Sequence, residues 1–151
     1  MRLRILSGSL LILLSALPLF AFSPADKSPP EVTVSGRIVC LSDAGVPVAC
    51  DPASGEFALK TSDGKTFRFL KDDPGQAILM DPRVRERELQ IRALLYPENR
   101  LEIIKTYSVH GGKIFDLYYF CEVCNITVYA PGLCPCCRSE LEFKEIPLEE
   151  R

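Results

Sequence analysis

Residues 55–70 read GEFALKTSDGKTFRFL and predict a β-hairpin that turns around an SDG loop at 62–64. The apolar pattern selects the length of this loop. A two-residue turn would put the apolar residues of the two strands on opposite faces, whereas a three-residue loop pairs Leu59 with Phe67 on one face. We therefore expect the longer loop, with Gly64 in the left-handed position of a bulge.

Alternation of apolar and polar residues continues on both sides of the hairpin. It predicts four further strands, at residues 31–40, 87–95, 101–109 and 114–120. Gly36 interrupts the first of these strands and suggests a bulge or a tight bend. Between the hairpin and the next strand, residues 71–83 predict a loop with a capping aspartate and one or two helical turns, interrupted by Pro82.

Three strands, a short helix and two long strands follow one another in this order. The order resembles the OB-fold, a five-stranded Greek-key barrel whose helix lies between the third and fourth strands. An SH3-like barrel or a small sandwich would show similar periodicity, and both remain alternatives. We expect a mainly β fold, with a small OB-like five-stranded β-barrel and one short helix over residues 31–117.

The C-terminal segment contains two C-x-x-C pairs separated by nine residues, Cys121/Cys124 and Cys134/Cys137. Each pair forms a tight turn that directs two thiolates at one ion, and four thiolates complete a tetrahedral zinc site. Iron and copper are alternative metals. Cys136 is an additional thiol inside the second pair, and it is an alternative to Cys137 as the fourth ligand.

Residues 118–141 resemble a zinc ribbon or a rubredoxin-like pair of knuckles. Asn125 fits this resemblance, because the residue after the second cysteine of a knuckle often adopts a left-handed conformation. The nine-residue spacer is short for a ribbon, and Arg138 replaces the usual glycine. The resemblance implies a Cys-rich tail over 118–145, followed by a flexible C-terminus at 146–151.

Disulfides and an active redox pair are the alternatives to a metal in the tail. Exported thiols tend to oxidise, which favours a Cys121–Cys124 disulfide or a cross-link between the two knuckles. The tail has few apolar residues and needs a cross-link or a bound ion to become ordered, which favours a metal. No βαβ pattern surrounds Cys121-Glu-Val-Cys124, which disfavours a thioredoxin-like pair.

Residues 1–25 are typical of a secretory signal. Two arginines precede an uncharged apolar stretch at 5–22, and small residues follow. We expect cleavage after Ala21 or Ala25, followed by a linker at residues 26–30. An uncleaved membrane anchor is the alternative, since an uncharged stretch of 18 residues is just long enough to span a bilayer. Either way, we expect the chain to work outside the cytoplasm, as a periplasmic or extracellular protein.

Export also bears on Cys40 and Cys50, which flank a turn-rich loop. Cys40 falls on the apolar face of its predicted strand. In an exported domain, two cysteines placed in this way predict a disulfide. Two buried free thiols are the alternative.

Composition excludes several classes of function. The net charge is −2, whereas a protein that binds duplex nucleic acid needs a basic face. His110 is the only histidine, so a multi-histidine metal site is impossible. We expect His110 to be an exposed turn residue, with a secondary metal contact as the alternative. The sequence contains no nucleophile elbow, P-loop or dinucleotide fingerprint, so we assign no catalytic residue and do not expect an enzyme.

Two functions remain. The first is a non-catalytic module of the cell envelope that binds a protein or a small ligand and carries a structural four-cysteine metal site. The second is an accessory factor for soft-metal trafficking or thiol–disulfide exchange through the Cys-rich tail. Contact with the membrane is expected only if the signal segment remains uncleaved.

Overall fold

The computed structural model describes residues 28–42, 44–50 and 56–150. The predicted signal segment, its cleavage site and the first two linker residues lie outside this part of the chain. In the part described, the fold is mainly β, as expected, and no helix has the length and apolar character needed to cross a membrane. The strands are β1 (Glu31–Leu41), β2 (Pro47–Val48), β3 (Glu56–Lys60), β4 (Thr66–Phe69), β5 (Glu88–Tyr96), β6 (Arg100–His110), β7 (Lys113–Cys121), β8 (Ile126–Val128) and β9 (Glu142–Pro147).

Two short helical segments lie between β4 and β5. A 3-10 helix spans Pro74–Met80, and the helix α1 spans Pro82–Arg85. Asp73 and Asp81 cap them, since each carboxylate accepts a hydrogen bond from the backbone N–H two residues later, at 2.8 and 2.9 Å. The predicted helical turns are therefore present, but Pro82 begins the second segment instead of interrupting one. Two further 3-10 turns span Pro97–Asn99 and Leu148–Glu150.

Five strands pair in a ring, which we call the five-strand ring. β1 pairs with β3, β3 with β4, β4 with β6, β6 with β5, and β5 again with β1. The contact between β4 and β6 is parallel and the other four are antiparallel. Within the part of the chain that the structure describes, the short strand β2 pairs only with β1.

The β3–β4 hairpin has the predicted register. Leu59 lies opposite Phe67, and the N–H of Thr61 donates to the carbonyl of Lys65 at 2.9 Å, which closes a three-residue loop. Gly64 has a φ of +85°, the left-handed conformation that the loop requires. The apolar pattern of the sequence was therefore sufficient to fix both the register and the loop length.

Gly36 is the point where β1 approaches the backbone of β3. We expected a bulge or a tight bend here; the pairing of β1 with β5 runs through Gly36 opposite Leu89 without a shift, so there is no bulge in this pairing. A Cβ atom at Gly36 would lie only 2.3 Å from the carbonyl oxygen of Lys60. Glycine is needed here because two backbones come close together.

The apolar core is formed by all five strands of the ring together with the helical segments and β7. Alternation places its members on one face of each strand, which is why the period-two pattern was informative. Its largest fully buried apolar side chains are Leu59, Phe69, Leu79, Val84, Leu89, Ile91, Leu101, Leu117 and Tyr119.

The sheet continues beyond the five-strand ring through β7. β7 pairs with β6 near its start, with β8 near its end, and with β9 along most of its length. It thus crosses residue 118, where we expected the tail to begin. Ile146 and Pro147, which we expected in a flexible C-terminus, lie in β9 opposite Asp116 and Phe115.

Candidate metal centre

The first knuckle, formed by the Cys121/Cys124 pair, begins at the last residue of β7. Cys121 is the last residue of β7 and is fully buried, and it lies opposite Ile126 at the start of β8. The N–H of Cys124 points back to the Cys121 sulfur at 3.5 Å. Asn125 has a φ of 53°, as predicted for the residue that follows the second cysteine. The first knuckle is therefore the turn that joins β7 to β8.

The second knuckle is closed by backbone hydrogen bonds. The N–H of Cys134 donates to the carbonyl of Ser139 at 2.8 Å, and the N–H of Arg138 donates to the carbonyl of Cys134 at 3.0 Å. Arg138 has a φ of 64° and thus adopts the conformation for which glycine is usual. The two knuckles therefore have the same backbone feature, a left-handed residue directly after the second cysteine.

The two knuckles bring four sulfur atoms together. The Sγ atoms of Cys121, Cys124, Cys134 and Cys137 all lie within 4.8 Å of one another, and those of Cys121 and Cys137 are 3.5 Å apart. Four thiolates around one zinc ion at about 2.3 Å would lie roughly 3.8 Å from each other. The group could therefore hold a metal ion after only small adjustments. Cys136 lies outside this group and is exposed.

The candidate site has a buried side and an accessible side. Cys121 and Cys134, the first cysteine of each knuckle, are completely buried. Cys124 and Cys137, the second cysteine of each knuckle, are only partly buried. An ion bound by the four sulfurs would thus be reached by solvent from the side of Cys124 and Cys137.

Hydrogen bonds give the thiols of the group different pKa values. The hydroxyl and the N–H of Ser139 lower the pKa of Cys137 to about 6. Interaction with Cys137 and then with Cys136 raises the pKa of Cys124 above its ordinary range. One thiolate in so tight a group opposes ionisation of the others, so all four ionise together only when a cation compensates their charge.

Cys40 and Cys50 form the predicted disulfide. Their Cα atoms lie 5.0 Å apart, and Cys40 is 1% exposed within the core. The alternative of two free thiols is therefore wrong. The other five cysteines are free, and four of them form the candidate metal site.

His110 lies at the end of β6, half exposed, and is not part of the group of four sulfurs. Its Nε2 atom lies 2.6 Å from Oε1 of Glu145, and its ring packs edge-on against Phe115. The hydroxyl of Ser108 donates to the same oxygen atom of Glu145. The serine and the histidine thus share a carboxylate and are not bonded to each other.

Sequence reasoning missed this carboxylate. Glu145 lies in β9, and Arg87 donates two hydrogen bonds to it at 2.8 and 3.0 Å. Burial alone would raise the pKa of Glu145, but the hydrogen bonds from Arg87, Ser108 and His110 lower it to about 2. No local motif could have revealed this cluster, because its members come from three separate parts of the chain.

A cation–π contact links the segment between the two knuckles to the five-strand ring. The ammonium group of Lys105 in β6 lies 3.9 Å from the centre of the Tyr129 ring, directly after β8. The same ammonium lies 2.6 Å from the buried carboxylate of Asp116 in β7. Lys105 therefore connects the ring, β7 and the segment between the knuckles.

Comparisons with protein families, with curated proteins and with solved structures find no match for this chain. The description of the site therefore depends on the geometry above.

Proposed function

We propose that this protein is an exported, non-catalytic module of the cell envelope, in which an OB-like barrel carries a zinc-ribbon-like metal site of four cysteines. One observation carries this proposal, the approach of four sulfur atoms from two knuckles to within 4.8 Å. The partner is a protein or a small ligand of the envelope. The net charge of −2 argues against duplex nucleic acid, and contact with the membrane would require an uncleaved signal segment.

The chemistry of the four ligands supports zinc as the metal. An all-thiolate, four-coordinate site suits zinc, iron or copper(I), and disfavours magnesium and calcium, which prefer oxygen ligands. The matched left-handed residues, Asn125 and Arg138, support the likeness to zinc-ribbon knuckles. The metal would order a segment that has little apolar core of its own.

The order of strand pairing supports an OB-like barrel. The ring follows the order β1-β3-β4-β6-β5, its one parallel contact joins β4 and β6, and the helical segments lie between β4 and β5. A five-stranded Greek-key barrel whose helix lies between the strands that are third and fourth in chain order, here β4 and β5, has this arrangement.

The geometry around His110 supports a non-catalytic role. A serine nucleophile needs a base that accepts its proton, but Ser108 and His110 both contact Glu145 instead of each other. Export is supported by the signal-like segment at 1–25 and by the Cys40–Cys50 disulfide, since disulfides persist mainly outside the cytoplasm.

Metal content and free thiols, measured on protein isolated from its native compartment, test the proposal. We expect one metal ion per chain and loss of that ion when any one of Cys121, Cys124, Cys134 or Cys137 is changed to Ser. Cys136→Ser is the control and should keep the metal. Protein without metal, in which four or more tail thiols are locked in disulfides, would overturn the proposal. Loss of metal in Cys136→Ser but not in Cys137→Ser would show that our ligand assignment is wrong.

The second candidate function, soft-metal trafficking or thiol–disulfide exchange, is favoured by one observation. Cys136 is exposed, directly precedes Cys137 in the chain and is not needed to complete the group of four sulfurs. A purely structural metal site has no use for such a thiol.

A further inference from the structure

A cavity of about 450 Å³ lies where the five-strand ring, the 3-10 helix before α1 and the segment between the two knuckles meet. Its volume is within the range of small-molecule sites, roughly 300–1,000 Å³. Two polar residues, Lys105 and Thr106, line it. Its other walls are mostly apolar and include Ile78, Ile103, Ile104 and Tyr129. An apolar cavity with a few polar groups is the usual form of a site that binds a small molecule.

An irregularity in β6 forms one wall of this cavity. The pairing of β5 with β6 shifts here, so that Ile104 has no residue opposite it in β5, and its side chain is 40% exposed. The carboxylate of Asp73 accepts a hydrogen bond from the N–H of Ile103 at 2.7 Å and thereby fixes the backbone beside the shift. Bulges of this kind redirect side chains and are frequent beside binding sites.

The positive charge of Lys105 is already balanced. Its ammonium group lies 2.6 Å from the buried carboxylate of Asp116 and 3.9 Å from the centre of the Tyr129 ring. A ligand carboxylate would bring a second anion close to Asp116, and a ligand cation would lie beside the ammonium, so a charge of either sign is disfavoured. An ammonium has three N–H donors, and an uncharged oxygen atom can accept from one of them.

Thr106 brings a buried hydroxyl to the same place. The residue is 4% exposed, and its Oγ1 atom has no hydrogen-bond partner among the residues that the structure describes. Such hydroxyls are uncommon in folded proteins because they lose their bonds to water without replacement. Rotation about the Cα–Cβ bond can turn the hydroxyl towards the cavity, where a ligand oxygen would supply the missing partner.

We propose that this cavity binds an uncharged, mainly apolar small molecule that carries a hydroxyl or carbonyl oxygen. The oxygen accepts from the ammonium of Lys105 and pairs with the hydroxyl of Thr106, while the apolar body packs against the isoleucines and the Tyr129 ring. This inference rests on the binding role proposed above and deepens it, since it names a site and a class of ligand.

A fluorescent probe tests the cavity in the full protein. N-phenylnaphthylamine is an uncharged, apolar dye that fluoresces more strongly in apolar surroundings, and we expect one dye molecule to bind per chain. Naphthylmethanol should displace the dye at a concentration about tenfold or more below that needed for naphthoate or naphthylmethylamine, because burial of a charge costs more than burial of a hydroxyl.

A charge placed in the wall should close the site to the dye. Ile104→Asp should lower the affinity for the dye by about tenfold or more. Val48→Asp is the matched control, because Val48 is 41% exposed, close to the 40% of Ile104, and lies in β2, away from the cavity. This control should bind the dye as the wild type does.

Thr106→Val tests the hydroxyl alone, since it keeps the shape of the side chain. The affinity for naphthylmethanol should fall about fivefold, the effect of one hydrogen bond. The affinity for ethylnaphthalene, which has the same shape without the hydroxyl, should stay unchanged. The melting temperature should stay unchanged or rise, because the hydroxyl has no partner in the folded protein to lose.

Several results would overturn the inference. They are wild-type protein that binds neither dye nor naphthylmethanol, naphthoate bound as tightly as naphthylmethanol, or unchanged affinities in Ile104→Asp or Thr106→Val. A dimer of the wild type that Ile104→Asp abolishes would also overturn it, because a second copy would then cover the cavity. Zinc content of the same samples reports on the proposed metal site separately. Protein that binds the dye but no metal would overturn that site and keep this inference.

Discussion

In the five-strand ring, side chains such as Leu59 and Leu89 are completely buried, whereas the described residues of the knuckle segment (residues 121–141) include only two buried ones, Cys121 and Cys134. Burial of apolar surface is the main force that stabilises a folded domain. The ring has such a core and the knuckle segment does not. The comparison shows that one continuous sheet combines two sources of stability, apolar packing in the ring and, on our proposal, a metal bound by thiolates in the knuckles.

The seam between the two regions combines polar contacts with apolar packing, since Val128, Leu141 and Phe143 pack against the core. Glu145 of β9 contacts Arg87, and Tyr129 of the knuckle segment contacts Lys105 of β6. These contacts are partly buried, so they are less screened by solvent than surface ion pairs. They add to the apolar packing and to the pairing of β7 with β6, β8 and β9.

Removing apolar volume from the ring should have the largest effect on stability. Leu101→Ala empties a fully buried position in β6 and should lower the free energy of unfolding by about 2–5 kcal/mol. Leu133→Ala makes the same change at a residue of the knuckle segment that is 50% exposed, and should change stability by about 0.5 kcal/mol or less. Urea denaturation of both variants measures the difference. Equal destabilisation would contradict the division into two regions.

The seam should give a smaller, pH-dependent effect. The pKa of Glu145 is lowered from 4.5 to about 2 in the folded protein, so the unfolded chain takes up a proton first as the pH falls. The resulting stabilisation, about 3 kcal/mol at most because solvent partly screens the contacts, is present above pH 4.5 and disappears as the pH falls towards 2. Glu145→Gln should therefore lower stability at neutral pH and flatten its dependence on pH across this range.

Glu142→Gln is the control for this experiment, because Glu142 lies in the same strand and pairs with Lys144 at the surface. This substitution should leave the pH dependence of the free energy of unfolding between pH 4.5 and 2 unchanged. If Glu145→Gln unfolds with the same pH dependence as the wild type, the seam does not depend on this carboxylate.

The turn of the β3–β4 hairpin should give the smallest effect. Gly64→Val places a β-branched residue at a φ of +85°, which should cost about 1–2 kcal/mol of backbone strain. Apart from the two chain neighbours, no atom lies within 4 Å of the Cβ position, so no clash at this atom adds to the strain. Gly64→Asn should be milder, since Asn tolerates this conformation. Identical melting temperatures for the two variants and the wild type would contradict the assignment.

Local patterns predicted what depends on neighbouring residues. The register of Leu59 opposite Phe67 and the left-handed Gly64 followed from alternation. The left-handed Asn125 was expected from the resemblance to a knuckle, and the Cys40–Cys50 disulfide from the placement of the two cysteines in a domain expected to be exported. These features are set within about 15 residues of chain by turn geometry and period-two burial.

Long-range pairing could not be predicted in the same way. The pairing of β9 with β7 depends on a segment, EFKEIP, whose side chains are mostly only partly buried and so give a weak pattern. The role of Glu145 follows from that pairing, because only the folded sheet brings it to Arg87. Gly36 was recognised as special, but its reason, the close carbonyl of Lys60, lies 24 positions further along the chain.

Hydrogen exchange of the metal-loaded protein, before and after removal of the metal by a chelator, tests the central claim most directly. Binding of a structural metal contributes to folding, so the claim predicts that residues 121–141 lose their protection when the metal is removed. The strands of the five-strand ring should keep theirs, because their core does not involve the four thiols. Protection of residues 121–141 that survives without metal, or loss of protection throughout the ring, would contradict the claim.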